Sequence, residues 1–211
     1  MPLKKPKKNL KVSVLVPCYK RSEYTNKCIK ALNHGKGEVE YEIFQHNGES
    51  GLRQAIIEFI DNHRDYDFLA KMDNDCVVPI GWMDQIIDIF DKSDVDILSP
   101  NVFPSDAANV YGKKVPGLIY MPASFVGGLW IMKGELIRDM EFVNYDVNGI
   151  RGAIALLRQI KNEKNPIIGW TKEVLIQDIG HWSGNHPDHI KSEEHQNYSF
   201  EVGREIAWRA I

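Results

Sequence analysis

Two carboxylates one residue apart, Asp73 and Asp75, end the apolar run Phe68-Leu69-Ala70-Lys71-Met72-Asp73-Asn74-Asp75. Residues two apart on a strand face the same way, so at a strand end both side chains can reach one shared point. Carboxylates in this arrangement suit Mg2+ or Mn2+, which take oxygen ligands and keep positions open for phosphate oxygens. Asp and Asn also favour turns, and Asp-x-Asp alone does not separate a ligand pair from a turn. Its place after a hydrophobic third strand favours the ligand pair, because open α/β sheets bind ligands outside the carboxyl ends of their strands.

A second candidate is His181, in Asp178-Ile179-Gly180-His181-Trp182-Ser183-Gly184, again just beyond an expected strand. Its imidazole can join the same cation, and a mixed His–carboxylate set suits Mn2+ better than Mg2+. Its companions His186, His189 and His195 open a different reading, a catalytic zinc held by three imidazoles and a water. Their spacing fits no helical HxxxH pattern, and Pro187 interrupts it. A third group is Pro17-Cys18-Tyr19-Lys20-Arg21 at the end of the first strand. A loop there can offer backbone N–H groups to a nucleotide, Tyr19 can stack on a base, and Arg21 can pair with phosphate. Arg53 opens a helix, where the positive dipole end also favours phosphate. The sequence has no GxxxxGK[ST], which excludes a P-loop ATPase, and no GxGxxG after the first strand, which argues against a dinucleotide oxidoreductase.

The elements that must position these residues alternate strand and helix from Leu10 onward, which predicts a parallel sheet built from βαβ units. Val12, Val14, Leu15 and Val16 make a first strand apolar enough to be covered on both faces, closed by Pro17. Ser22 can N-cap a helix with Tyr24, Cys28, Ala31 and Leu32 on one face, ended by Gly35 and Gly37. The second strand is Tyr41 to His46, followed by Asn47-Gly48. The next helix places Leu52, Ala55, Ile56, Phe59 and Ile60 at i, i+3, i+4, i+7 and i+8. Trp82, Ile86, Ile89 and Phe90 give another helix, and Val95 to Ser99 another strand. Pro100 to Pro122 reads as a long surface excursion, a kind of loop that is often functional. Phe125 to Lys133 reads as loop and strand, Ile150 to Ile160 as helix, Lys172 to Gln177 as strand, and Tyr198 onward as helix.

The bulk composition narrows the classes further. A chain of 211 residues, 43% hydrophobic and 26% charged, suits one soluble domain with a substantial core. A net charge of -3 leaves no nucleic-acid footprint. The one concentrated basic segment, Lys4-Lys5-Pro6-Lys7-Lys8, lies in an expected disordered tail over residues 1–9, read as a solvated arm. Cys18, Cys28 and Cys76 form no CxxC pair and read as free thiols in a reducing compartment. No apolar run approaches the ~20 residues of a membrane span, and no signal segment opens the chain, so a cytoplasmic location is expected. The helix running out at Ile211 without a stop signal suggests a module at the start of a longer chain.

Taken in order, these segments resemble the GT-A glycosyltransferases, in particular the family 2 group, over residues 10–185. Val12-Ser13-Val14-Leu15-Val16-Pro17-Cys18-Tyr19-Lys20-Arg21 is similar to the opening strand usually written VSVIIPTYNR. Glu42-Ile43-Phe44-Gln45-His46-Asn47-Gly48 is similar to the second strand, with His46 where an Asp often holds the uracil edge. Asp73-Asn74-Asp75 matches the DxD signature, Gly127-Gly128-Leu129-Trp130 resembles the sugar and acceptor floor, and His181 with Gly184 resembles the late HxxG element. The chain also shows a general likeness to glycosyltransferase domains encoded by large algal viruses (chloroviruses), which would place it in the host cytoplasm.

The resemblance implies an α/β, GT-A (nucleotide-diphospho-sugar transferase) fold over residues 10–211, with a central, mostly parallel sheet flanked by helices. It implies an inverting, hexosyltransferase-type enzyme moving a sugar from a nucleotide diphosphate sugar, UDP-linked by preference, to a glycan, glycoprotein or other hydroxyl acceptor. Mn2+ or Mg2+ would be held by Asp75 and His181. Pro17, Cys18, Tyr19, Arg21, Asn47, Arg53, Asp73 and Asn74 would line the nucleotide pocket, with Asp73 on ribose or a metal-bound water. Gly127, Gly128 and Trp130 would form the sugar and acceptor floor. The family's catalytic Glu-Asp pair falls in register near Ala153-Ile154, where no carboxylate stands. Asp146 is the nearest replacement, with Asp178 and Glu193 behind it. That gap keeps open a non-catalytic nucleotide-sugar or glycan-binding module of the same fold, beside the His-rich zinc hydrolase. A related-fold nucleotidyltransferase would need a Gly-rich, Arg-containing loop after strand one, which is absent.

Overall fold

Side-chain alternation along the first strand, β1 (Val12–Pro17), sets the layers of the molecule. Val12, Val14 and Val16 project into one apolar cluster, and Leu15 into another on the opposite face. A strand buried on both faces is what a βαβ sheet requires. The computed structural model describes residues 7–18, 22–47, 49–103, 117–124, 126, 129–142 and 152–179. β2 (Glu42–His46) and β3 (Phe68–Lys71) lie parallel to β1 on either side of it, with Leu15 opposite Phe44 in one and Lys71 in the other.

Two pairs of helices cover the faces. α1 (Ser22–His34) and α3 (Trp82–Lys92) share a core with Val14, Ala70 and Met72, through Cys28, Leu32, Trp82, Met83 and Ile86. Within it the Trp82 indole N–H donates to the Tyr41 hydroxyl at 3.0 Å, and that hydroxyl donates to the Leu32 carbonyl at 2.6 Å. α2 (Leu52–Asn62) and α4 (Gly152–Lys164) pack on the other face, with Ile56, Phe59 and Ile60 meeting Leu156, Leu157 and Ile160. Each such fully buried side chain contributes roughly 2 kcal/mol. On α1 the buried face is Thr25, Cys28, Ala31 and Leu32. Tyr24, expected inside, is half-buried, with Lys27 lying over its ring. Lys7–Asn9, at the end of the basic segment, form a 3-10 turn, and Lys7 pairs with Asp88 at 2.6 Å.

Among the described residues the sheet has eight strands in the order β2-β1-β3-β7-β5-β8-β4, with β6 beside β8. β5 is Ile97–Phe103, β6 is Tyr120–Ala123, β7 is Trp130–Lys133, β8 is Ile168–Asp178, and β4 is the two-residue Cys76–Val77. Five strands (β1, β2, β3, β5 and β8) run one way, and β4, β6 and β7 run against them. The stretch from Pro100 was expected to leave the sheet, yet β5 continues to Phe103 and β6 begins at Tyr120. Both prolines occupy places that tolerate a missing N–H. Pro100 sits at the register shift between Ser99 and Asn101, and Pro122 on β6, which among the described residues pairs with β8 alone. β8 starts four residues before the expected Lys172. Gly169 lets Tyr120 lie against it, since a Cβ there would fall 2.3 Å from the Tyr120 ring.

Candidate active site

The parallel register brings the ends of β1, β2 and β3 to one edge of the sheet. Pro17, the last residue of β1, stands opposite His46. The chain then turns with the Cys18 N–H donating to the His46 carbonyl at 2.6 Å. The His46 ring is held from α2: its Nε2 lies 3.0 Å from a Glu58 carboxylate oxygen, and Glu58 also accepts from Gln54 at 3.0 Å. Those two contacts, Gln54 first, hold the Glu58 carboxyl below its ordinary range. Asn47 spends its side-chain carbonyl on its own turn, accepting the Glu49 N–H at 3.1 Å. Arg53 is half-buried in the first turn of α2.

The Asp73-Asn74-Asp75 turn is fastened on every side. The Met72 N–H extends β3 by donating to the Leu15 carbonyl, and the Cys76 N–H closes the turn on the Asp73 carbonyl at 3.2 Å. The Asn74 amide donates to the Thr25 hydroxyl at 2.9 Å, and the Cys28 thiol donates to the Asp73 carbonyl at 3.5 Å, so both ties come from α1. The Asp73 carboxylate accepts from the Lys71 ammonium, whose side chain is 1% exposed. Asn74 and the two carboxylates remain half-buried.

β8 completes the edge. Cys76 of β4 pairs with Asp178, and the Ile179 N–H donates to the Asp75 carbonyl at 2.7 Å. The short β4 therefore splices the Asp-x-Asp turn to the end of the last strand. Burial pushes the Cys76 thiol well above its ordinary value, and the nearby charges of Asp73, Asp178 and Asp75 push it further the same way. Burial also raises Cys28, to about 12. Asp73, Asp178 and Asp75 all lie near the Cys76 thiol, and Lys71 pairs with the first of them.

Among the described residues no three His, Cys, Asp or Glu side chains converge closely enough to hold a metal ion. That does not exclude Mg2+ or Mn2+, which are bound through one or two carboxylates plus substrate phosphates. Asp75 would supply one such carboxylate. Of the residues expected from sequence, the structure gathers Pro17, Cys18, Asn47, Asp73, Asn74, Asp75 and Asp178 at this edge. Trp130, expected in a sugar floor, is fully buried opposite Lys71. Tyr19, Arg21, Gly127, Gly128, Asp146, His181 and Glu193 lie outside the described residues, as do His186, His189 and His195. Lys71, Thr25 and Glu58 escaped the sequence reading. Only Lys71 left a signal, a lysine inside an otherwise apolar strand two residues before Asp73. A cavity of about 290 Å3, lined by Leu10, Phe68, Phe90, Lys133 and Arg138 among others, opens at the other end of β3. Among the described residues no helix is long and apolar enough to cross a membrane.

No family model matches the chain, and no curated protein matches it. Solved structures do. Residues 1-349 of S. aureus TarS in complex with UDP-GlcNAc superpose over 80% of this chain and 58% of that one, with a TM-score of 0.55 and 12% identity. The complex of the same fragment with UDP gives 0.54 and 14% over 80% and 60%. A197 from STIV gives 0.50 and 14% over 76% of this chain and 81% of that one. The chain thus spans about three fifths of the TarS fragment. At such identities the likeness speaks to architecture, and what it establishes is that this chain has the GT-A, nucleotide-diphospho-sugar transferase fold.

Proposed function

We propose that the chain is a metal-dependent glycosyltransferase domain that takes a sugar from a nucleotide diphosphate sugar, UDP-linked by preference, to a glycan or other hydroxyl acceptor. The observation that carries this is the splice at Asp75. Its carbonyl accepts the Ile179 N–H, and His181 follows two residues later. This reading pairs His181 with Asp75 on one cation. Crystals of the TarS fragment with UDP-GlcNAc and with UDP support the same ligand class here.

In this reading Asp75 and His181 hold Mn2+ or Mg2+, which when bound supplies Lewis-acid stabilisation of the diphosphate leaving group. Asp73 orients the ribose. Cys18 and Asn47 border the nucleotide pocket, with Tyr19, Arg21 and Arg53 set for base and phosphate. Asp146 takes the acceptor proton in an inverting displacement, with Asp178 and Glu193 as the alternatives for that role. Calorimetry with UDP, ADP and GDP, with and without Mn2+, tests the assignment. UDP should bind best, Mn2+ should strengthen it, and Asp75→Asn should abolish the Mn2+ effect. Equal UDP binding in chelator would refute metal bridging.

One observation favours a second reading, a module that binds nucleotide sugar without turning it over. The position of the family's Glu-Asp pair falls at the start of α4, whose first turn carries no acidic residue. Slow Mn2+-dependent hydrolysis of a UDP-sugar, lost in Asp146→Asn, would count against that module.

A further inference from the structure

We propose that the cavity at the start of β3 binds a free α-amino acid with an apolar side chain, at a site separate from the nucleotide edge. The inference does not depend on the nucleotide-sugar reading. Phe68 lines the cavity, and at about 3.3 Å of rise per residue it stands roughly 15 Å from Asp73. Four segments meet there: Leu10 ahead of β1, Phe68 opening β3, Ile87 and Phe90 on one face of α3, and the corner where β7 gives way to the 3-10 turn Gly134–Leu136.

Its floor is apolar and its walls are fixed. The Phe68 and Phe90 rings lie 5.0 Å apart with their planes tilted by 42°, and Phe68 stays half-buried although it opens a central strand. The Asp67 and Phe68 N–H groups both donate to the Lys11 carbonyl, at 2.9 and 3.2 Å. The Gly134 N–H donates to the Asp67 carbonyl at 2.8 Å. Arg64 donates to the Ile137, Arg138 and Met140 carbonyls at 3.1, 3.3 and 2.8 Å. A site braced in this way needs little reordering to bind. Its volume of about 290 Å3 lies at the lower end of small-molecule pockets, which suits one ring or branched side chain with a short polar head.

The lining carries both signs of charge. Lys133 is already paired with Asp96 at 2.9 Å. Glu135 and Arg138 are three residues apart, both exposed, and both line the cavity. Among the described residues neither side chain has an ion pair or a hydrogen bond. A guanidinium recognises a carboxylate through paired N–H donors, and a carboxylate accepts from an ammonium. An α-amino acid presents both groups on one carbon, beside a side chain that the phenyl floor can take out of water. Asp67, Asp91 and Glu135 line the cavity against Arg138 and the already paired Lys133, so an organic anion without an ammonium is disfavoured.

Ligand-observed NMR titrations of the chain with L-phenylalanine, and with its half-analogues phenethylamine and hydrocinnamate, test the assignment. L-phenylalanine should bind with a Kd of about 1 mM or below, and each half-analogue about tenfold more weakly. Arg138→Gln should weaken L-phenylalanine about tenfold and leave phenethylamine unchanged, because that analogue has no carboxylate to lose. Glu135→Gln should weaken L-phenylalanine about threefold and leave hydrocinnamate no weaker. Both side chains are exposed, so both variants should keep the urea midpoint of the wild type. No binding of L-phenylalanine at about 20 mM overturns the proposal. So does either half-analogue binding as tightly as the amino acid, or L-phenylalanine binding unchanged in Arg138→Gln. A loss in Arg138→Gln that phenethylamine shares equally overturns it as well. The outcome with UDP and Mn2+ bears on none of these comparisons, so the two readings fail separately.

Discussion

Alkylation of the native protein by iodoacetamide at pH 8 should label Cys18 first and leave Cys28 and Cys76 almost untouched. The thiolate is the reactive form. Burial lifts Cys28 from an ordinary 9.0 to about 12, which lowers its thiolate population about 1000-fold at this pH. Cys76 is raised too, by burial and then by three carboxylates. Cys18 is also raised by burial, but the His46 contact works the other way, and it is the one cysteine that is not fully buried. Residual labelling of the inner pair should come through local opening. Peptide mass spectrometry over a time course reads all three sites at once. Cys28 or Cys76 labelled within tenfold of Cys18 would refute the burial argument. The same assay probes the site: UDP with Mn2+ at 100 Kd should slow Cys18 by up to about 100-fold through occupancy. Unchanged Cys18 labelling at an occupancy verified by calorimetry would remove it from the nucleotide pocket.

Two further outcomes follow from the geometry. A thiol whose folded-state pKa is raised contributes stability that is fully present below its unfolded value and is lost as pH rises toward the folded one. Cys28 should therefore cost about 1 kcal/mol of unfolding free energy between pH 9 and 10, and urea titrations of wild type and Cys28→Ala should diverge in slope over that interval. Gly134→Ala should destabilise by about 3 kcal/mol, because a Cβ there would fall 2.0 Å from the Tyr66 carbonyl oxygen. A urea midpoint within error of wild type would show that the loop gives way freely.

The sequence alone carried the layered α/β plan, and with it the place proposed for the chemistry. Strict periodicity in Leu52-to-Ile60 and alternation around Leu15 report burial directly, because a helix or strand has one fixed repeat. Asp73 and Asp75 were legible because an apolar strand ending in carboxylates has few purposes. Tertiary structure decided what local pattern could not encode. Pro100 and Pro122 read as breakers, and only the bulge and the single-partner strand explain why β5 and β6 tolerate them. β4 is two residues long, too short for any period, yet it fixes Asp75 to Ile179. Lys71 was visible only as a lysine within a hydrophobic run. It stands beside Leu15 and Trp130, residues 56 and 59 positions away along the chain, which only the folded sheet sets next to it.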